Sequence, residues 1–314
     1  MIVSEKYECG DIIGEGSYSQ VRAATDLSSG NKIALKLFKS SKEEAKKHVK
    51  EAELLETLSH KNIVRCFEFA LDADLKQDNR VKQVSYIATE LAEKGCLFDY
   101  IKASQGLSEQ LARLFFGQIL GAIEFLHSSG ISHRDIKSEN IFLTQKYEVK
   151  MGDFGFATKD ITDTTYCGSS CYMAPEINMK KKYNCQATDI FSLGVLLFFM
   201  VTGKYPFARA NESDCKFKIL SAGKTSLFWR TSLRSKERLS KLSPEFIELV
   251  TMCLSCNPIE RPSVSEIKCH SWMKTGEVKS SPEDEFICSE EVTSELQKIE
   301  SNIEDVSDQL ISFH

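Results

Sequence analysis

Short apolar and β-branched runs alternate with turn residues over positions 7–38, a pattern of strands joined by tight connections, and Gly14-Glu15-Gly16-Ser17-Tyr18-Ser19-Gln20-Val21 falls between two of them. From Glu43 to Leu58 the period changes. Val49, Ala52, Leu55 and Leu58 recur at three-residue steps among charges, which predicts an amphipathic helix. The polar stretch Asp72 to Arg80 reads as a loop longer than a tight hairpin needs, and Tyr86 to Ala92 as a strand broken by Glu93-Lys94-Gly95. Helices follow at Leu97–Ala103 and Glu109–Leu126. Ser108 stands as N-cap of the second, whose faces are nearly all apolar, as in a core helix. Asp189 opens a further apolar helix, Ile190–Val201, and Trp229, Trp272 and Phe246 to Leu254 read as core. At the end of the chain Val292, Leu296, Ile299, Ile303, Val306 and Leu310 are spaced 4, 3, 4, 3, 4, a heptad seam that Phe313 continues, with Ser289, Glu290 and Glu291 at its N-terminus.

Composition narrows the classes. The 314 residues, 42% hydrophobic, suffice for a large core. The net charge of −5 is uneven: residues 274–314 carry −8 and the remainder +3, which argues against electrostatic binding of nucleic acid. Eleven cysteines, an odd number, behind a start without a secretory segment fit reduced thiols, which places the chain in the cytoplasm first and the nucleus second. The longest apolar run, Gly194 to Val201, falls far short of the roughly 20 residues that cross a bilayer, so a buried helix is expected and no membrane partner. Cys253, Cys256, Cys269 and His270 imitate a zinc set, but their neighbours already fit helix and ion-pair roles.

The chemistry concentrates between His133 and Glu176. His133-Arg134-Asp135-Ile136-Lys137-Ser138-Glu139-Asn140 is followed by Asp153-Phe154-Gly155 and Ala174-Pro175-Glu176. Asp135 is a natural acceptor for a hydroxyl proton. Asn140 and Asp153 are hard oxygen ligands of the kind Mg²⁺ takes while keeping waters and phosphates, and Lys137 can offset charge on a transferred phosphoryl group. Together they describe phosphoryl transfer to an alcohol. In that order and spacing the three motifs resemble the catalytic loop and activation segment of a eukaryotic protein kinase.

That resemblance implies an α+β, bilobal kinase fold over residues 7–273: a small β-rich N-lobe with one main helix to about residue 91, and a large, mostly helical C-lobe from about residue 92. An acidic linker, 274–288, and an amphipathic C-terminal helix, 289–314, would follow. It implies ATP and Mg²⁺ as cofactors, with Asn140 and Asp153 on the metal and Asp135 and Lys137 catalytic. Lys36, in Ile33-Ala34-Leu35-Lys36, would hold the phosphates, paired to Glu51 rather than to the solvated Glu53, with Leu55 stacked under Phe154. Gly14, Glu15, Gly16, Val21 and Ala34 would line the nucleotide, the backbone of Glu90 and Ala92 would face adenine, and Thr89 would gate the pocket behind it. Ser19 departs from the family's usual third glycine, which implies altered loop mobility. Asp189 would hold the catalytic-loop backbone, and Glu176 would pair with Arg261.

The activation segment holds Thr162, Thr164 and Thr165. The resemblance makes Thr165 the phosphosite, its phosphate pairing with Arg134; otherwise the threonines are solvated loop residues. Partners implied are protein substrates and an upstream activating kinase. The style of His127-Ser128-Ser129-Gly130-Ile131-Ser132-His133 and of Lys94 to Ile101 is closest to the calmodulin-dependent and AMP-activated branch, and Lys137 speaks for a serine/threonine enzyme. The intact set Lys36, Glu51, Asp135, Lys137, Asn140, Asp153 favours an active kinase over a pseudokinase scaffold. Three heptads are marginal for an independent coiled coil, so a C-terminal helix docked in cis is favoured over one that binds a partner.

Overall fold

The structure, a computed structural model, describes the chain apart from residues 17–18, 39–41, 79, 234, 276–289 and 312–314 and the side chains of 42–47 and 304–311. Two compact units emerge, Met1–Lys94 with Leu143–Gly155, and Gly95–Phe142 with Phe156–His314. The small unit therefore reaches three residues beyond the expected boundary at 91 and also takes in the residues that lead into Asp153-Phe154-Gly155.

In the first unit the strands β1 (Ile2–Val3), β2 (Tyr7–Glu15), β3 (Ser19–Asp26) and β4 (Lys32–Phe38) precede α1 (Lys42–Glu56), β5 (Cys66–Gln77) and β6 (Arg80–Glu90). They close a barrel in the order β1-β2-β3-β4-β6-β5. Alternate residues point inward, so Val3, Tyr7, Ile33, Leu35, Val84 and Tyr86 share one core. On α1 the predicted stripe is buried at Ala52 and Leu55 while Glu53 is exposed.

Two features of this barrel depart from the sequence reading. The polar stretch from Asp72 is strand, not loop: β5 runs on to Gln77 and pairs Leu75 with Lys82 and Gln77 with Arg80. Asp72 sits in the left-handed region (φ 55°) at a register shift between Ala70 and Ala73, and this bulge breaks the polar–apolar alternation on which the reading relied. The second is β1, outside the expected domain, where Val3 pairs with both Tyr7 and Leu75 and so closes the barrel.

The second unit opens with α2 (Leu97–Ser104) and α3 (Glu109–Ser128). The Ser108 hydroxyl accepts the Leu111 N–H at 3.1 Å, the predicted cap. The apolar run lies in a helix, Cys185–Thr202, that starts earlier than expected, because Asn184 rather than Asp189 caps it by accepting the Ala187 N–H at 2.9 Å. Asp189 is inside the helix and fully buried, free for another task. A Cβ on Gly194 of this helix would lie 2.7 Å from Cys253 Cβ, so the glycine permits the close approach of helix Pro244–Cys253. Trp229, Phe246 and Trp272 form a buried aromatic chain with ring centroids 5.9 and 5.7 Å apart. Arg261 and Glu176 make the expected bidentate pair at 2.6 and 2.8 Å.

The C-terminal helix spans Glu290–Ile311. Val292, Leu296 and Ile299 are buried, Glu295 accepts the N–H and the hydroxyl of Ser108 at 2.8 and 2.5 Å, and the Tyr100 hydroxyl donates to Glu300 at 3.0 Å. Ser289, Phe313 and the side chains of Val306 and Leu310 lie outside the described residues, as does most of the acidic linker.

Candidate active site

The phosphate-binding candidates belong to the first unit. Lys36 lies on β4 between Val21 of β3 and Ile87 of β6. Its Nζ donates to Glu51 Oε1 at 2.6 Å and to Asp153 Oδ1 at 3.1 Å. Glu51 is buried beside Ala52 on α1, whereas Glu53 points to solvent, as the helical spacing predicts. Burial pulls the Lys36 ammonium down, but the carboxylates of Glu51 and Asp153 outweigh it and leave its pKa raised, so the lysine stays charged.

Asp153 follows the strand Val149–Met151, which is tied to the segment after α1: Val64 N–H donates to the Met151 carbonyl at 2.9 Å, and the Asn62 amide to the Val149 carbonyl at 3.0 Å. Asp153 itself takes a left-handed backbone (φ 57°) and is 43% exposed, while Phe154 and Leu55 are both buried. The glycine-rich turn joins β2 to β3, with Gly14 opposite Val21 and Gly16 N–H on the Ser19 carbonyl at 2.8 Å; Ser17 and Tyr18 lie outside the described residues. Ala34 pairs with Thr89 across β4 and β6. The Glu90 carboxylate is taken by the Arg65 N–H at 2.7 Å and by Lys150 at 3.0 Å. Ala92 follows just beyond the end of β6.

The proton-transfer candidates belong to the second unit. Asp135 is buried, and each carboxylate oxygen has its own partners. Oδ1 accepts the Ser169 N–H and hydroxyl, both at 2.9 Å, and Oδ2 accepts Lys137 Nζ at 2.7 Å and the Asn140 amide at 3.2 Å. Asn140 also donates to the Asp135 carbonyl at 2.9 Å. Both contacts use its amide nitrogen, so the carbonyl oxygen is the atom Asn140 offers to a cation. In the first unit the 43% exposed carboxylate of Asp153 is likewise a hard oxygen donor of the kind Mg²⁺ takes.

Asp189 fixes the loop that carries Asp135. Its carboxylate accepts the N–H groups of His133 and Arg134 at 2.9 and 2.8 Å and meets His127 Nε2 at 3.0 Å. Arg134 is held with φ 63°, an uncommon backbone for a non-glycine residue that these two bonds stabilise. Arg134 donates to the Phe156 carbonyl at 2.6 Å and pairs with Asp163. Sequence reasoning gave Arg134 no partner apart from a phosphate on Thr165.

Two further residues escaped it. Ser169 bridges Asp135 and Lys137, to which its hydroxyl comes within 3.1 Å. Gly168 has φ 100°, and a Cβ there would lie 2.8 Å from the Arg134 carbonyl. The visible signal was the Cys167-Gly168-Ser169 run itself, a small hydroxyl beside a glycine.

The Protein kinase domain family matches residues 7–273. Among curated proteins, the human SNF-related serine/threonine-protein kinase is 35% identical over 283 residues, 85% of this chain and 33% of its own length. Maternal embryonic leucine zipper kinase of Xenopus tropicalis is 32% identical over 278 residues, 86% of this chain and 39% of its own. Mouse sperm motility kinase 2B is 32% identical over 274 residues, again 86% of this chain but 52% of its own. The chain thus spans between a third and about half of the length of these relatives.

Proposed function

Because this chain belongs to the eukaryotic protein kinase family over residues 7–273, we propose that it is an ATP-dependent protein serine/threonine kinase that transfers the γ-phosphoryl group to protein hydroxyls. The observation that carries this reading is the Lys36–Glu51 pair at 2.6 Å: a lysine kept charged and aimed by a buried carboxylate is what phosphate positioning requires. In the reaction Lys36 binds the phosphates. Asp135, oriented by Ser169, Lys137 and Asn140, accepts the proton of the substrate hydroxyl, and Lys137 offsets charge on the phosphoryl group as it moves. Mg²⁺, when bound by Asn140 and Asp153, supplies charge neutralisation. Most of the rate then comes from positioning. Purified protein incubated with radiolabelled ATP and a peptide array tests this. Label on peptides is the expected result; nucleotide binding without transfer would favour the pseudokinase alternative.

Acceptor choice follows from residues beside the site. Phe156, directly after the DFG motif, is 45% exposed, and a bulky aromatic there leaves more room for serine than for the methyl of threonine. Of the acids used to bind upstream arginine, Glu139 is present and exposed. Cys96 stands where the kinase resemblance implies a Glu. Burial and the Asp99 carboxylate push its thiol up to about 12, so it is neutral. Phe199, where the resemblance implies that strongly basophilic kinases use an acid, stacks on Tyr205, ring centroids 4.4 Å apart. A positional peptide library is expected to select serine over threonine and arginine only weakly. Strong selection of arginine three residues upstream, or of threonine, would overturn both assignments.

The C-terminal helix serves this domain in cis, clamping α2 and the cap of α3. Three buried aliphatics at about 1.5–3 kcal/mol each are offset largely by the entropy of ordering the helix. Truncation after residue 288 is therefore expected to lower the melting temperature by several degrees. An unchanged melt would show that the helix does not hold this surface.

A further inference from the structure

The Asp163 carboxylate in the activation segment is engaged on both oxygens. Oδ1 accepts the Thr164 N–H at 2.6 Å, the Thr165 N–H at 3.0 Å and the Thr165 hydroxyl at 2.9 Å, while Oδ2 takes the Arg134 guanidinium. The segment around it is anchored elsewhere too. Thr162 and Asp163 pair with Asn184 and Tyr183, and the Tyr183 hydroxyl donates to the Thr165 carbonyl at 2.7 Å. Arg134 is 9% exposed, so its charge needs a counter-ion inside the fold, and Asp163 is that counter-ion. Through Arg134 the contact reaches the residue next to Asp135. Thr165, by contrast, is exposed and uses its hydroxyl as a donor to Asp163; a phosphate there would lose that bond and set a second anion against the first.

Resting on the kinase reading above, we propose that Asp163 is a built-in positioning residue that does the work of an activation-segment phosphate, so that the active arrangement of the catalytic loop does not depend on phosphorylation of Thr165. Asp163 orders the loop through Arg134 and touches no substrate. A phosphate added to Thr165 is consequently dispensable for turnover.

The test uses the full chain, treated with a protein phosphatase and shown by mass spectrometry to carry no phosphate on Thr165. Steady-state assays with ATP and a peptide compare it with Thr165→Ala, Asp163→Asn and Asp163→Glu. The phosphatase-treated protein and Thr165→Ala are expected to stay within about twofold of the phosphorylated enzyme in kcat. Asp163→Asn, which keeps the shape but loses the charge, is expected to lose roughly ten- to a hundredfold in kcat with little change in the KM for ATP, the cost of a misplaced catalytic loop. Asp163→Glu should recover part of that loss. Hydrogen exchange supplies a readout independent of activity: in Asp163→Asn, which also lowers the melting temperature by leaving Arg134 without its counter-ion, the amides of Thr164, Thr165 and the His133–Asp135 loop are expected to exchange faster at a temperature well below the melt of either protein. Full activity of Asp163→Asn, or an enzyme that gains more than about tenfold on phosphorylation of Thr165, would overturn the proposal. If no form transfers phosphate, the kinase reading fails separately, and exchange decides for Asp163: faster exchange in the variant supports the positioning role and unchanged exchange overturns it.

Discussion

Lys36→Met is expected to lower phosphoryl transfer by roughly a hundred- to a thousandfold or more while the protein stays folded. The charge of Lys36 is placed rather than merely present, since Glu51 at 2.6 Å and Asp153 at 3.1 Å fix its ammonium. Methionine keeps the length of the side chain and its packing on β4 and removes only the charge. Asp153→Asn should act equally strongly from the other side of the same contact, by weakening the metal rather than the phosphate grip. Both side chains are partly exposed, 21% for Lys36 and 43% for Asp153, so neither change opens a cavity in the barrel core. Circular dichroism should therefore still show a folded protein, with the melt lowered in Lys36→Met because the buried Glu51 loses its counter-ion, while a radiolabelled-phosphate assay shows the loss. Retained turnover in either variant would sink the kinase assignment.

The largest effect on stability is expected at Glu176 and Arg261. The Arg261 side chain is 1% exposed and makes four hydrogen bonds, two to Glu176 at 2.6 and 2.8 Å, one to the Ala187 carbonyl at 2.8 Å and one to the Ser255 carbonyl at 2.9 Å. Its guanidinium also lies 4.9 Å from the Phe191 ring. Glu176→Ala leaves that charge buried without its anion, at a cost of about 3–5 kcal/mol, or on the order of 10 °C in melting temperature for a unit of this size. Replacing both partners, Glu176→Leu with Arg261→Met, is expected to cost less than Glu176→Ala alone, because no ion is stranded. A double-mutant cycle by denaturant unfolding measures the coupling. A double variant as unstable as the sum of the two single changes would show that the residues do not act as a pair.

The ion pair also illustrates how far the sequence could reach. Glu176 and Arg261 lie 85 positions apart, and only the kinase resemblance joined them. The same holds for Asp189, whose sequence position suggested a helix cap. Asn184, five residues earlier, takes the cap, and the carboxylate is thereby released to hold His133 and Arg134. A cap is a local interaction and readable as one. A carboxylate that receives backbone groups from 55 and 56 residues away is not.

What the sequence determined by itself was whatever is periodic or local. The β-rich first part, the amphipathic α1, the Ser108 cap and the buried apolar helix were legible, because side-chain period is set along the chain, whereas Lys36, Glu51, Asp135, Lys137, Asn140 and Asp153 were singled out through motifs that resemble those of a kinase. Tertiary structure alone decided the rest. The bulge at Asp72 carried β5 through a stretch too polar to read as strand, and β1 closed the barrel with only two residues, too few to show a period. Ser169 came to Asp135 from 34 positions away, and Asp163 to Arg134 from 29. Those contacts depend on where the folded backbone brings a carboxylate within hydrogen-bonding reach of its partners, a quantity to which long-range packing contributes and of which hydrophobic pattern carries no trace.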